Sequence, residues 1–454
     1  MSTPSTLDRL VSRTALAAVL AAVAGCATYA PRPLDTQVAA STSVADLRHA
    51  ATLPARLGIA DIERLALDNN PELIAARTQH GLSQAQLRSA GILPNPVFNA
   101  SYQDVLSGPG MFAALAAGLS QDLKSLITLS SKRHAAQKAG ESVDATILWQ
   151  EWQTVGKARL SAVDLIEGDK QLALLRANAA LWHERIGRGR QALAQGDATL
   201  ATLAPDLAAG SDAQKLADDF ERQQQTRRRD LNLLLGLTPQ VKLDLSDAVA
   251  LPDLHVDAIR RDLPSVANRR PDLIALQLGY QAQEEKVRGA VLAQFPLFLL
   301  GYAYGRDTSN VRSLGPQLTM DLPVFDRNQG NISQEQATRE QLHAEFSARL
   351  IAAKSEVDAL LADHALLQTQ LDSKRQLLVE IDPIATRAEA AYRNGDIDER
   401  SYVDLQTTRN AKRQEILALE LTLLEQQVAI ATLVGAGMPQ VALTDAQTNA
   451  ETRQ

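Results

Sequence analysis

Apolar positions along this chain follow two rhythms, and the switch from one to the other happens twice. Between residues 59 and 93 the period is helical, with Ile62, Leu65, Ala66, Leu73 and Ala76 in phase and Asn70-Pro71 marking a break between two helices. After Pro94-Asn95-Pro96 the period drops to two. Phe98, Ala100 and Tyr102 then alternate with Asn99, Ser101 and Gln103. Ser107-Gly108-Pro109-Gly110 is turn chemistry, and a second, less regular strand fits 111–123. The same sequence of events predicts strands over 296–305 and 314–325. The aromatic residues concentrate in these segments: Phe98, Tyr102, Phe112, Phe295, Phe298, Tyr302, Tyr304 and Phe325. In a soluble sheet they would form a core face; in a membrane barrel they would form the lipid face and its aromatic girdle.

Each strand pair leads into a long stretch of helix formers, predicted as helices over 128–190 and 329–394. In the second, Phe346, Ala353, Leu360, Leu367, Ile381 and Ala388 recur at sevens, and Leu350, Val357, Leu371, Leu378 and Ala385 fill the companion seam. Lys374 and His364 are its two lapses. Heptads sustained this far predict coiled-coil packing, and a helix of this length reaches about 100 Å at 1.5 Å per residue. Gln195-Gly196-Asp197 and Asn394-Gly395-Asp396 end the two rods with glycine where a helix terminus wants a left-handed residue. A return helix follows each turn. Pro205 and Gly210 predict a late or kinked start for the first return helix, and Pro383 predicts a bend in the second rod.

These parallels amount to a tandem duplication. Pro71-Glu72-Leu73-Ile74-Ala75 is answered by Pro271-Asp272-Leu273-Ile274-Ala275, and Leu119-Ser120-Gln121-Asp122-Leu123 by Leu318-Thr319-Met320-Asp321-Leu322. The division follows: a leader over 1–25, an extended tether over 26–58, a first repeat over 59–240, a linker over 241–263, a second repeat over 264–440 and a polar tail over 441–454.

Composition narrows the class. Aromatics make up 4% of the 454 residues, and the net charge of −7 comes without a basic block, which argues against nucleic acid as a partner. The single cysteine, Cys26, excludes an internal disulfide and cysteine-rich metal sites. It ends an apolar run that follows Arg9 and Arg13 and is too short to span a bilayer, which is the layout of a secretory signal. None of the seven histidines pairs at helical ligand spacing, and neither a phosphate loop nor a nucleophile with its base is present, so no metal site, cofactor or catalytic residue is expected.

Four candidate spanning strands cannot close a sheet, and an open edge in lipid leaves backbone groups unpaired. Two copies would give eight strands and three would give twelve; closure alone does not choose. Val23-Ala24-Gly25-Cys26 resembles a bacterial lipobox, with an ordinary signal carrying a stray cysteine as the alternative. That segment, Arg270-Pro271-Asp272-Leu273, Leu322-Pro323-Val324-Phe325-Asp326-Arg327-Asn328-Gln329-Gly330-Asn331-Ile332, Tyr392-Arg393-Asn394-Gly395-Asp396-Ile397 and the 231–237 stretch together resemble the TolC-like outer-membrane efflux protein family. The Phe325–Gly330 wording is closest to its cobalt-zinc-cadmium branch.

The resemblance implies a mainly α protomer with a small transmembrane β part, trimerising into a 12-stranded β-barrel continuous with a periplasmic α-barrel. It implies a lipid on Cys26 as the only attached group. The partners it implies are two further copies of the chain, a periplasmic adaptor, an inner-membrane transporter of the RND type and the lipid of the outer membrane. The duct would be passive, not an enzyme. Its periplasmic gate falls on Asp404, Ser401 (where an acidic residue is usual), Asp398 and Arg400, with Gly196, Asp197, Gly395 and Asp396 in the adaptor-facing tip turns. Asp398, Glu399 and Arg400 could form alternative tip contacts, and the plainer reading makes these three solvated charges at a helix start. A protein-secretion duct of the same fold, or a lipid-anchored periplasmic coiled-coil adaptor or structural rod, are the competing readings.

Overall fold

The computed structural model describes residues 29–37, 39–49, 53–109, 112–435 and 438. The lipobox with Cys26, Met111 and the 441–454 tail lie outside the described residues. The chain divides after Ala40; up to that point the described residues are irregular and exposed apart from one turn.

From Ser41 the elements are α1 (Ile59–Asn69), α2 (Pro71–Ala90), β1 (Val97–Gln103), β2 (Ala114–Asp122), α3 (Lys124–Gln195) and α4 (Leu200–Leu234), then α5 (Val256–Asp262), α6 (Pro271–Leu292), β3 (Phe298–Arg306), β4 (Arg312–Met320), α7 (Gln329–Asn394) and α8 (Glu399–Val434). From α2 to α4 and from α6 to α8 the order is the same, so the duplication is structural. The four strands form one antiparallel sheet in the order β1-β2-β3-β4, in which β2 and β3 join the repeats. Helix α3 is the spine: α1, α2, α4, α6 and α8 all pack on it.

Local chemistry sets the ends. Asn70 caps α2 by accepting from the Leu73 N–H at 2.9 Å, with Pro71 at the first helical position, where its missing N–H costs nothing. Gly196 (φ 85°) and Gly395 (φ 81°) close α3 and α7 in the left-handed region. Helix α4 begins at Leu200, five residues before Pro205, not late as expected. The Thr199 hydroxyl accepts from the Thr202 N–H and fixes the start, and a proline so near the N-terminus removes only one ladder bond. Strand β2 begins three residues later than 111, and β4 runs over 312–320 in place of 314–325; the chain leaves the sheet ahead of Pro323, which has no N–H to pair. Helix α3 exceeds the expected 128–190 at both ends.

Two segments expected to be loose are built into the core. Two isolated parallel bridges, Ser41 with Leu237 and Leu57 with Leu245, tie them together: Ser41 N–H donates to Gly236 O at 2.9 Å and Leu57 N–H to Asp244 O at 2.8 Å. Leu47 and Leu57 are buried there, with Val241, Leu243 and Leu245 packed beside them. The sparse apolar residues gave the stretches the look of tether and linker, but the bridges at Ser41 and Leu57 hold them together and the leucines leave water. The linker also contains α5.

Helix α7 buries Ala353, Val357, Leu371, Ala385 and Ala388 from the two heptad rows, and Leu361 in place of its neighbour Leu360, which is half-buried. His364, a lapse by sequence, occupies a seam position at 7% exposure, with Nε2 3.1 Å from the Gln368 amide; burial holds its pKa below the ordinary value and keeps it neutral. Helix α8 is the one described helix long and apolar enough to cross a membrane, and it packs instead on α3 and α7.

Where α3, α4 and α8 meet, the carboxyls of Asp164 and Glu425 face each other, with Arg227 Nε 3.7 Å from Asp164 Oδ2. Burial raises both, and the hydrogen bond to Asp164 lifts Glu425 further, to about 7, against the pull of Arg227. A carboxyl raised on folding binds its proton more tightly in the native state. Its contribution is therefore intact below the ordinary 4.5 and is lost as pH climbs to about 7. Glu425→Gln should raise the melting temperature at pH 8 by the equivalent of about 1–2 kcal/mol, after allowance for its partial exposure, and leave pH 4.5 nearly unchanged. Equal effects at the two pH values in thermal melts would show that the pair does not share a proton.

Candidate functional site

In an antiparallel sheet directly opposed residues share a face, so the register sorts the side chains. One face carries Phe98, Leu119 and Tyr302 in one row, Ala100, Ala117, Tyr304 and Leu314 in the next, and Leu300 beside Leu318. The other carries Asn99, Gly118, Ala303 and Gly315, then Ser101, Ala116, Gly305 and Ser313, with Ser120, Gly301 and Gln317. The apolar face is bare: Phe98, Tyr302, Leu314 and Leu318 are each more than 60% exposed. An apolar surface this continuous marks contact with a partner or with lipid.

Charges gather at one end of the sheet. Tyr102 OH donates to Asp104 at 2.6 Å, Arg306 donates to Ala113 O at 3.1 Å, and Asp307 Oδ1 accepts from the Ser309 and Val311 N–H groups at 2.9 Å each. Asp104 and Asp307 lie in connections just beyond β1 and β3, so neither charge sits on the apolar face. Gly301 belongs to the small face, and a Cβ there would come within 2.1 Å of Leu119 O. The sheet is open at both edges; Pro316, without an N–H, lies on the β4 edge, where a strand tolerates it.

The opposite end joins the helices through Phe325-Asp326-Arg327-Asn328-Gln329. Asn328 takes a left-handed conformation (φ 63°), its N–H donates to Asp326 Oδ1 at 2.7 Å, and its Nδ2 donates to Ala290 O at 2.8 Å. The motif that carried the family resemblance is thus a turn that starts α7.

The far ends of the long helices form a second constellation. Asp398 is the N-cap of α8, accepting from the Ser401 N–H at 2.6 Å; that bond leads the causes holding its carboxyl below the ordinary value. Ser401 itself is exposed. Asp404 lies one turn on, with Arg400 Nε at 4.0 Å from one oxygen and Arg185 Nη1 at 3.3 Å from the other. Arg185, on α3, is 7% exposed along its side chain. It is bidentate to Asp206 of α4 at 2.6 and 2.8 Å and stands over the Trp182 ring at 5.2 Å. One buried cation thus ties the tips of both hairpins together.

A parallel tie runs from Arg188 to Glu399 at 3.4 Å, and Tyr392 and Tyr402 stack with ring centroids 4.6 Å apart. Burial raises the Glu399 carboxyl against Arg188 and Arg185. Gly196, Asp197, Gly395 and Asp396 form the two turns, in which the Asp197 and Asp396 N–H groups donate back to Ala192 O and Ala391 O at 2.9 and 2.8 Å. Sequence reasoning found Asp398, Arg400, Ser401 and Asp404 but missed Arg185, Arg188, Asp206 and the tyrosine stack. Nothing in a helical run of charged residues distinguishes the arginine that faces a neighbouring hairpin. Among the described residues no three His, Cys, Asp or Glu side chains gather as a metal set.

Residues 263–436 match the family model described as outer membrane efflux protein. The cation efflux system protein CusC of Escherichia coli O6:H1 is 23% identical over 249 residues, 52% of this chain and 54% of that protein, so the match spans about half the length of this relative. A crystal structure of CusC superposes with a TM-score of 0.66 over 90% of this chain and 100% of that one, at 19% identity. The Campylobacter jejuni CmeC outer membrane channel gives 0.68 over 94% and 98%, at 13% identity. Residues 263–436 thus carry the outer membrane efflux protein signature, and the described chain has the fold of such channels.

Proposed function

We propose that the protein is the outer-membrane exit duct of a tripartite efflux pump. Three copies would pair β4 of one with β1 of the next to close a 12-stranded barrel, and the long helices would continue it as an α-barrel across the periplasm. The carrying observation is the two-faced open sheet: an aromatic and aliphatic face left uncovered among the described residues, backed by a face rich in Ser, Asn, Gln and Gly. Lipid suits the first face, a lumen the second, and closure by other copies satisfies the edges. The chain acts passively: it needs a conduit and a gate, not a catalytic group. Cys26 would carry the lipid anchor, and an adaptor at the tip turns would connect the duct to an RND-type transporter. The name of the CusC relative, a cation efflux protein, favours cations among the small solutes carried.

Asp404 with Arg185 forms the gate in this reading. Arg185 holds Asp404 to Asp206, so the α8 tip stays docked on α3 and α4 while the ion pair stands. Because Arg185 is buried, the pair is screened less than a surface one, and loosening it releases the inner hairpin.

In planar bilayers the purified protein should form discrete pores, and Asp404→Ala should raise single-channel conductance; unchanged conductance would remove Asp404 from the gate. For the barrel, Leu119→Arg on the apolar face should destabilise the folded form by about 2–4 kcal/mol, whereas Ser101→Arg on the small face should leave assembly intact and narrow the pore. Heat-modifiable gel mobility reads the first and conductance the second; the reverse pattern would invert the lipid and lumen faces.

A further inference from the structure

The register of the sheet puts two arginines side by side at the end remote from the helices. Arg306 on β3 is directly opposed to Arg312 on β4, so both fall on the face that carries Tyr302, Tyr304 and Leu314. The same row continues across the sheet through Leu115 to Tyr102. At the end nearer the helices the same face closes on Phe298 opposed to Met320, with no charge. Phe298 and Arg306 begin and end the nine-residue β3. At about 3.4 Å per residue and a tilt of about 40°, they stand roughly 20 Å apart in height, close to the apolar band of about 25 Å in a membrane barrel. The arginines therefore mark the place where that band would end.

Like charges directly opposed on neighbouring strands repel, and among the described residues no carboxylate pairs with either arginine. The two acids closest along the chain are engaged elsewhere. Asp104 accepts from Tyr102 OH, and Asp307 accepts from the Ser309 and Val311 N–H groups. Arg306 is half-buried, and a bond from Nη2 to Ala113 O at 3.1 Å fixes its guanidinium; its Nε has no acceptor. Arg312 is exposed and uses none of its donors on a described residue. One guanidinium is thus held in place and the other left open beside it.

We propose that Arg306 and Arg312 bind the phosphate groups of an anionic lipid in the outer leaflet of the membrane. The site presupposes the proposed duct, in which the helices cross the periplasm and the 307–311 connection faces outward. A planar guanidinium presents paired N–H donors that match phosphate oxygens, and a lipid headgroup brings phosphate to the level where apolar rows give way to charge. Phosphate relieves the repulsion within the pair and gives acceptors to N–H groups that the chain leaves unused. A ring of three copies repeats the pair three times and forms a basic collar around the barrel.

The test uses the full-length protein in neutral detergent, with bisphosphorylated lipid A and the same lipid stripped of its phosphates as probes. Native mass spectrometry reads the affinity for each. Arg312→Gln removes an exposed side chain without partners in the chain; it should weaken lipid A binding about tenfold and leave the phosphate-free lipid unaffected. Arg306→Gln combined with Arg312→Gln should abolish the preference for the phosphorylated lipid. Equal binding of lipid A by parent and Arg312→Gln overturns the proposal, and this single variant decides if the double one fails to assemble. If inorganic phosphate alone binds the parent as tightly as lipid A, the pair takes any free anion and the lipid assignment fails. Conductance in phosphatidylcholine bilayers tests the duct separately. Pores without a preference for phosphorylated lipid reject the lipid site alone, and an absence of pores rejects the duct.

Discussion

A β-sheet with one bare apolar face and two unpaired edges cannot exist alone in either water or lipid. In water the face bearing Phe98, Leu119, Tyr302 and Leu314 stays exposed; in hydrocarbon the β1 and β4 edges leave amides and carbonyls without partners, at several kcal/mol each. A ring of copies within a membrane satisfies both demands. The helices follow from that solution, because copies arranged around a shared axis present their long hairpins side by side. In the proposed duct, the seam along which α7 and α8 pack would serve an assembly that depends on length and not on compactness.

The duplication lets one chain provide adjacent parts of such a ring. Strands β2 and β3 come from different repeats yet pair over eight residues, so the covalent linker replaces what would otherwise be another subunit seam. The repeats have since diverged where their roles differ. Asn232 donates to the Thr238, Pro239 and Val241 carbonyls after the first repeat, whereas the aligned residue of α8 is Ala431; Gly168 is needed because Gln224 lies where its side chain would be, a constraint set by helix approach and not by the turn chemistry that the repeats share.

Much of this architecture was legible from residues. Periods of two and of seven gave the strands and the rods, because each records a face turned to one environment along its whole length. The closure requirement followed from counting strands. Parts that depend on side chains meeting from distant positions were not legible. Arg185 reaches Asp206 and Asp404 across two other helices, and its identity gives no hint of that destination. The stretches around Leu47 and Leu243 looked like connectors because their apolar residues are sparse; only pairing with each other gave them a buried face. His364 looked like an error in the seam because periodicity scores polarity, whereas an imidazole kept neutral by burial fills volume much as a leucine does.

A conduit must be stable as a barrel and adjustable at one end, and the two requirements are met by different kinds of contact. Near the middle of the rods, apolar clusters hold α1, α3, α4 and α8 together over a broad area, which changes little with salt or local charge. At the tip, ion pairs stand beside the buried Leu203, Ala388 and Val403: Arg185 with two carboxylates and Arg188 with Glu399, together with one stacked tyrosine pair. Such contacts respond to a nearby charge, whether from a cation in the lumen or a residue of a docking partner, because the carboxylates can exchange one cationic partner for another. In the proposed duct these ion pairs are the contacts that a change of local charge would loosen first. Under the proposed function, ion pairs at the tip ahead of an apolar waist are what would let one end of the duct open while the rods hold.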